Sequence, residues 1–399
     1  MTKILSQTKI RFNQMADVWR DRGAFPGLGS ALEALGVRLG TALSYDLITH
    51  NILNSSEDPW PLVDAMLRGE KKPPEPEIHQ PSLNAARKTW LELNNDRRAL
   101  IKLLSRFDML PEQARRWFDP QKRREACDTY ASDEEILANP YQIAELDLGQ
   151  VGKPPVAVST IDRGLLPDST IAAKYPVPEP SRVSAHLDPR RVRSVFVHVL
   201  RNAAEAGDAL LSEQELLSRI PQVHLPHPCE VTSDWIAGNQ AALAHIVDCF
   251  PIQQNESRAV SVLQLTALKK REDGLRSILL SRAKREVMSS GEDWVSLLRQ
   301  TLLVQPHPAA LEEQALALER ITTRRLSVLT GRAGTGKTST LGALLRSPTI
   351  NRGGVLLLAP TGKARVRLNR AVGQDVALTI AQFLYRQRGI RWCSAAAEA

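Results

Sequence analysis

The stretch Gly331-Arg332-Ala333-Gly334-Thr335-Gly336-Lys337-Thr338 decides how this chain is read, because it matches a phosphate loop, G-x-x-x-x-G-K-[ST], at every fixed position. Its flanks agree with that reading. Leu326-Ser327-Val328-Leu329-Thr330 is a short β-rich run, and Ser339-Thr340-Leu341-Gly342-Ala343-Leu344 opens like a helix. Glycines let backbone N–H groups turn inward and a polyphosphate approach closely, at a helix N-terminus whose dipole favours anions. Gly331, Gly334, Thr335, Gly336, Lys337, Thr338 and Ser339 are therefore the candidates to hold a nucleotide. Lys337 would reach the β- and γ-phosphates, and the Thr338 hydroxyl would take Mg²⁺ brought with ATP. The alternative is a purely structural glycine turn, which would not require strand and helix on either side.

Working outward, residues 355–359 (Val355-Leu356-Leu357-Leu358-Ala359) form an apolar run between Gly354 and Pro360, as expected for a parallel strand buried on both faces. Past it, Thr361-Gly362-Lys363-Ala364-Arg365 leaves the end of a strand where open α/β sheets bind ligands. Thr361, Lys363 and Arg365 are the candidates to meet nucleic-acid phosphates, against the alternative of a solvated basic helix start. Upstream, Gln314 stands on a helix entering the first strand. Its amide can both donate to and accept from an adenine edge, or it is an ordinary solvated helical side chain. The predicted fold class is an α/β partial phosphate-loop lobe at the C-terminal end, preceded by mainly α-helical domains.

Charge supports a second anionic partner. Between Ala310 and Gly389 there are thirteen Lys/Arg against four Asp/Glu, which leaves 39 against 40 in the rest of the chain. The net +8 thus belongs to the phosphate-loop segment. One nucleotide cannot occupy so many cations, and a nucleic-acid backbone is the polyanion that would.

The 399 residues divide by pattern into six stretches. Residues 1–70 read as a helical domain, and 71–81 as a Pro-rich linker. Residues 82–150 form a second helical block, in which Ser132-Asp133-Glu134-Glu135 is a capping box. Residues 151–189 are an irregular crossing rich in Pro and Gly. Residues 190–303 are largely helical with a winged-helix-like segment around 190–225, and 304–399 hold the partial phosphate-loop lobe. No apolar run approaches the roughly 20 residues needed to span a bilayer. The start of the chain lacks a secretory pattern, and the four widely spaced cysteines read as reduced thiols, so a cytoplasmic protein is expected. His224, His227, Cys229, His245 and Cys249 have no metal-ligand spacing and are read as packed or solvated.

Gln314, the loop 331–338, Leu358-Ala359-Pro360-Thr361-Gly362-Lys363-Ala364 and Thr379-Ile380-Ala381-Gln382-Phe383 together resemble the start of the RecD-like superfamily 1 DNA helicases. The resemblance implies that Gln314 reads adenine, that 331–338 is motif I, and that the Thr361 segment touches single-stranded DNA. More faintly, Ile136–Tyr141, Thr160–Asp162 and Asp188–Arg193 are similar to the helix–hairpin–helix and winged domains that precede the motor in long RecD-like enzymes. The segment Met109-Leu110-Pro111-Glu112-Gln113-Ala114 lacks the Gly-rich hairpins of that pattern, which argues against DNA binding by its block. The family's motor also uses an Asp-Glu strand and a second lobe. Neither follows Lys337 here, and the tail reads as an abrupt end. The expectation is therefore ATP, Mg²⁺ and single-stranded DNA as ligands, protein partners for the helical domains, and no strand unwinding by these residues alone. The rival readings are a non-enzymatic regulator with a vestigial loop, and a small-molecule kinase, for whose lid and acceptor site there is no room.

Overall fold

A computed structural model describes residues 23–54, 57–127, 129–150, 152–255, 258–285, 291–301, 307–332, 334–373 and 375–387. Expectations for residues 1–22, for the boundary at 303/304 and for the tail after 387 lie outside the described residues. The chain divides into two compact units, Met1–Lys269 and Lys270–Ala399. Helices dominate, with one small antiparallel sheet in the first unit and a two-stranded parallel one in the second.

The first unit has one continuous apolar core running from Ala24 to Leu263. Its largest buried side chains include Trp90, Trp117, Tyr141, Phe107 and Phe196. The three helical blocks legible in the sequence therefore share a core. The helix Leu28–Leu35 ends at Gly36, whose φ of 103° is left-handed and open to glycine at no steric cost. At its other end Gly27 lies so close to the Phe107 carbonyl that a Cβ would sit 1.9 Å from the oxygen, so a side chain there would force the helix off its neighbour.

The expected linker 71–81 is not one. From Pro76 it is the start of a helix, Pro76–Glu92, with Pro81 inside. Pro76 occupies the first turn, where a missing N–H costs nothing. His79, Leu83, Ala86 and Trp90 follow at helical spacing and are buried, while Pro73 and Pro74 are buried as well. The His79 ring lies 2.6 Å from an Asp46 carboxylate oxygen, which pins this helix to Gly40–Thr49. The single hydrogen bond lost at Pro81 is outweighed by that packing.

The expected irregular crossing 151–189 holds two short helices, Val158–Leu165 and Ser169–Lys174. Val158, Ile161 and Leu165 bury one face, and the carboxylate of Asp162 is buried among them. Arg191 closes a bidentate pair on it at 2.7 and 2.9 Å, and the Tyr141 hydroxyl donates to it at 2.6 Å. Both ionic side chains are fully buried. Burial and the adjacent carboxylate push the Tyr141 hydroxyl well above its ordinary pKa.

Next come the helix Pro189–Ala206, β1 (Leu211–Ser212), the helix Glu213–Arg219, the helices Ser233–Gly238 and Gln240–Leu243, then β2 (Val247–Asn255) and β3 (Arg258–Leu265). The sheet order is β1-β3-β2, all antiparallel, with Leu211 opposite Leu263 and Phe250 opposite Val262. The extended run expected at 220–225 is a 3₁₀ turn, Ile220–Gln222. The longest strands fall instead at 247–265, inside a block expected to be largely helical. Burial pushes the Cys127 thiol up to about 12, and raises those of Cys229 and Cys249 as well. No helix among the described residues is long and apolar enough to cross a membrane.

In the second unit Trp294, Leu298, Leu311, Ala315, Leu318 and Ala343 make a small core. The strand expected at 326–330 has no regular pairing, and Val328 is 82% exposed. Of the run 355–359 only β4 (Leu358–Ala359) is strand, parallel to β5 (Leu378–Thr379). Val355, Leu356 and Leu358 are exposed rather than buried on both faces. A ladder exists only where a neighbour supplies donors and acceptors. Here the described neighbour of β4 is two residues long, so two residues pair.

Removing the partner of a buried guanidinium leaves its charge uncompensated. Asp162→Ala should lower stability by about 3–5 kcal/mol, read as a fall in the urea midpoint. A midpoint unchanged from wild type would show that water or another acceptor replaces the carboxylate.

Candidate phosphate-loop site

The site rests on the helix Pro308–Thr322, which opens with Pro308 in its first turn and the His307 ring accepting from the Ala309 N–H. Leu311, Ala315 and Leu318 turn into the small core. Ala310, Glu313, Gln314 and Ala317, spaced i, i+3, i+4, i+7, form another face of the same helix. That face lines a cavity of about 300 Å³ with Leu329, Thr330, Gly331, Thr335, Lys337 and Thr340. Gln314 and the glycine loop, 17 positions apart at their closest, thus share one hollow.

The loop bends through Gly334 and Gly336, whose φ values are 82° and 78°. Successive left-handed glycines beside helical residues turn backbone N–H groups toward one point, a concavity suited to an anion. Gly336 then caps the helix Lys337–Leu344, adding the positive end of a helix dipole. A Cβ on Gly331 would lie 2.8 Å from the Thr335 hydroxyl, and one on Gly336 would lie 3.0 Å from the Gln314 amide nitrogen. Side chains at either position would crowd the hollow.

Lys337 folds back over the loop, its ammonium donating to the carbonyls of Gly331 and Arg332 at 2.5 and 2.7 Å. The Gln314 amide nitrogen donates to the Thr335 carbonyl at 3.4 Å, a long bond, and its buried amide oxygen has no partner. Thr338 is exposed at the first turn of the helix. The side chain of Ser339 lies outside the described residues. A polyphosphate fits this cradle: cationic, rich in N–H donors, and lined by glycines whose replacement would fill it. Among the described residues no three His, Cys, Asp or Glu side chains gather into a metal site. Thr338 is then the one nominated protein group for a metal carried by the nucleotide.

Thr361, Lys363 and Arg365 do not line this hollow. Thr361 follows β4 and caps the helix Gly362–Val372, its hydroxyl oxygen accepting from the Ala364 N–H at 3.2 Å. Lys363 is exposed. Arg365 is half-buried with its Nε buried and without a partner. It lines an open groove of about 430 Å³ with Val366, Asn369, Arg370, Gly373 and Asp375. Asn369 anchors the end of that groove by bonding Asp375 and the Ala377 N–H. Sequence reasoning singled out neither Glu313 nor the groove. The i, i+3, i+4, i+7 face around Gln314 was the signal for the first. The second depends on a loop folding back on its helix, which no local pattern announces.

Charge distribution separates the two units. The first unit holds buried ion pairs, among them Arg191–Asp162, Arg116–Asp147, Arg123–Asp133 and Arg193–Glu145. None of the Lys or Arg side chains at 310–387 forms an ion pair with another described residue.

A family model described as an AAA domain matches residues 310–398. No curated protein matches the chain. The matched domain is a P-loop NTPase domain of a kind found in RecD-like helicases, and it implies nucleotide binding together with a divalent metal.

Proposed function

We propose that this chain binds ATP and single-stranded DNA as the nucleotide-bearing part of a RecD-like, ATP-dependent DNA helicase, with residues 310–387 contributing to a RecA-like motor lobe. The observation that carries the reading is the meeting of Gln314, Lys337 and the glycine loop in one hollow. A purely structural turn would need neither the lysine nor a base-reading amide beside it.

In this reading the backbone N–H groups at 334–338 hold the β-phosphate, and the Lys337 ammonium swings from its two carbonyls to the phosphate oxygens. Charge-assisted bonds to phosphate are stronger than those to neutral carbonyls, so the exchange is favourable. The Gln314 amide is released from its long bond to Thr335 to meet adenine. Mg²⁺, when bound with the nucleotide and the Thr338 hydroxyl, supplies neutralisation of charge on the phosphates.

The DNA part of the proposal rests on Thr361, Lys363 and Arg365 at the carboxyl end of β4, and on the cations at 310–387, which form no ion pair with another described residue. A half-buried guanidinium without a carboxylate is unfavourable unless an anion arrives. A phosphodiester backbone supplies evenly spaced anions. The hydroxyl hydrogen of Thr361 remains free to donate to a phosphate oxygen, because its capping bond uses only the oxygen.

Lys337→Ala should weaken ATP binding at least tenfold by isothermal titration, the scale of one lost charge-assisted contact or more. Equal affinities for the two proteins would remove the loop from nucleotide binding. Binding to oligo-dT should weaken linearly with log salt concentration, and Lys363→Ala or Arg365→Ala should each flatten the slope by about 0.7. Salt-insensitive binding, or a slope indifferent to both changes, would take the DNA path away from this helix.

A further inference from the structure

We infer that Glu313 reads the ribose of the nucleotide, making this a site for ribonucleotides over deoxyribonucleotides; the inference rests on the nucleotide reading of the loop. Glu313 shares the cavity-lining helix face with Gln314 and is flanked there by Ala310 and Ala317. The two alanines are small, which leaves room beside Glu313 on that wall. Glu313 is exposed and has no hydrogen bond or ion pair with any described residue. An acidic side chain beside an anion cradle is out of place unless the ligand offers it donors.

A nucleotide held by its phosphates offers donors at two depths. The base amino group reaches furthest in, where the buried amide oxygen of Gln314 waits without a partner. The sugar lies between base and phosphates, nearer solvent, at the depth of an exposed rather than a buried group. Its vicinal 2′- and 3′-hydroxyls are two adjacent O–H donors, and an ionised carboxylate is acceptor-only with two oxygens to receive them. The same pairing of an acidic side chain with ribose hydroxyls serves other nucleotide folds. A phosphate at that position would be repelled, so Glu313 also fixes which end of the ligand enters the loop.

The test uses the full chain with Mg²⁺ and compares ATP, 2′-deoxy-ATP, 3′-deoxy-ATP and inorganic tripolyphosphate by isothermal titration. Wild type should bind ATP about tenfold more tightly than either deoxy analogue, the scale of a hydrogen bond to a charged group. Glu313→Ala should bind all three nucleotides alike, at the wild-type level for the deoxy analogues. Tripolyphosphate should bind Glu313→Ala no less tightly than wild type and should be lost in Lys337→Ala. Wild type indifferent to the sugar, or Glu313→Ala still preferring ATP, would overturn the assignment while normal tripolyphosphate binding left the loop reading standing. Tripolyphosphate that ignores Lys337 would overturn the loop reading and this inference with it.

Discussion

Asp162 and Arg191 meet where neither side chain touches solvent, and much of the first unit is arranged around keeping them satisfied. Both carboxylate oxygens are taken by the guanidinium, and Tyr141 donates to one of them. The remaining guanidinium hydrogens go to the carbonyls of His186, His227 and Pro228. One ion pair therefore ties together the short helix Val158–Leu165, the long helix Pro189–Ala206, and the irregular turn before the sheet. A buried pair of this kind adds little net stability over a well-packed apolar pair, and is costly only when broken. Its consequence is specificity of arrangement: in this placement of the three segments every donor of the guanidinium is satisfied.

The same logic repeats nearby with different partners. Arg116 pairs with the buried Asp147, whose carboxylate also accepts from the Trp117 indole and the Gly149 and Val156 N–H groups. Arg193 forks onto the buried Glu145. Burial by itself raises the Glu145 pKa, and the arginine opposes that shift. Several arginines of the first unit are thus turned inward, with Arg116, Arg123, Arg191 and Arg193 each held on a carboxylate and most of them on backbone carbonyls as well. The second unit differs at 310–387, where no Lys or Arg side chain forms an ion pair with another described residue.

How far the sequence disclosed this depended on whether the determining contacts were local. The phosphate loop was legible because its geometry is written in adjacent residues: glycines at 334 and 336 where φ is positive, and Lys337 opening a helix. The capping box at Ser132 and Glu135 was legible for the same reason, and both of its bonds are present. The linker at 71–81 was misread because proline was weighed as a breaker, although Pro76 occupies a first turn and the residues after it bury a helical face. The two helices inside 151–189 were missed because Asp162, a charged residue at the centre of one, is satisfied there by Tyr141 and Arg191, 21 and 29 positions away. The strands at 247–265 were missed because the block was read from its helical runs, although Pro251 and the alternation Val260-Ser261-Val262 are signals for extended chain. Exposure of Val355, Leu356 and Leu358 could not be read from their apolar character, since burial depends on neighbours supplied by other segments.

These two ways of handling charge bear on what each unit can do. An arginine already satisfied inside a fold has no free donors for a ligand, and extracting it would cost the pairing that orders its segment. A cation left unpaired at the surface stays hydrated, mobile and available, and neighbouring cations raise the local potential together. The net positive balance of the sequence is thus not a property of the whole molecule. It is concentrated where the glycine loop, Lys337 and the groove beside Arg365 and Arg370 lie, and it is left uncompensated there by the fold itself. Within that field Glu313 is the carboxylate on the wall of the hollow itself. Placed on the wall of the hollow rather than across from an arginine, it subtracts attraction for phosphate at one spot, and so gives the site around Lys337 a direction.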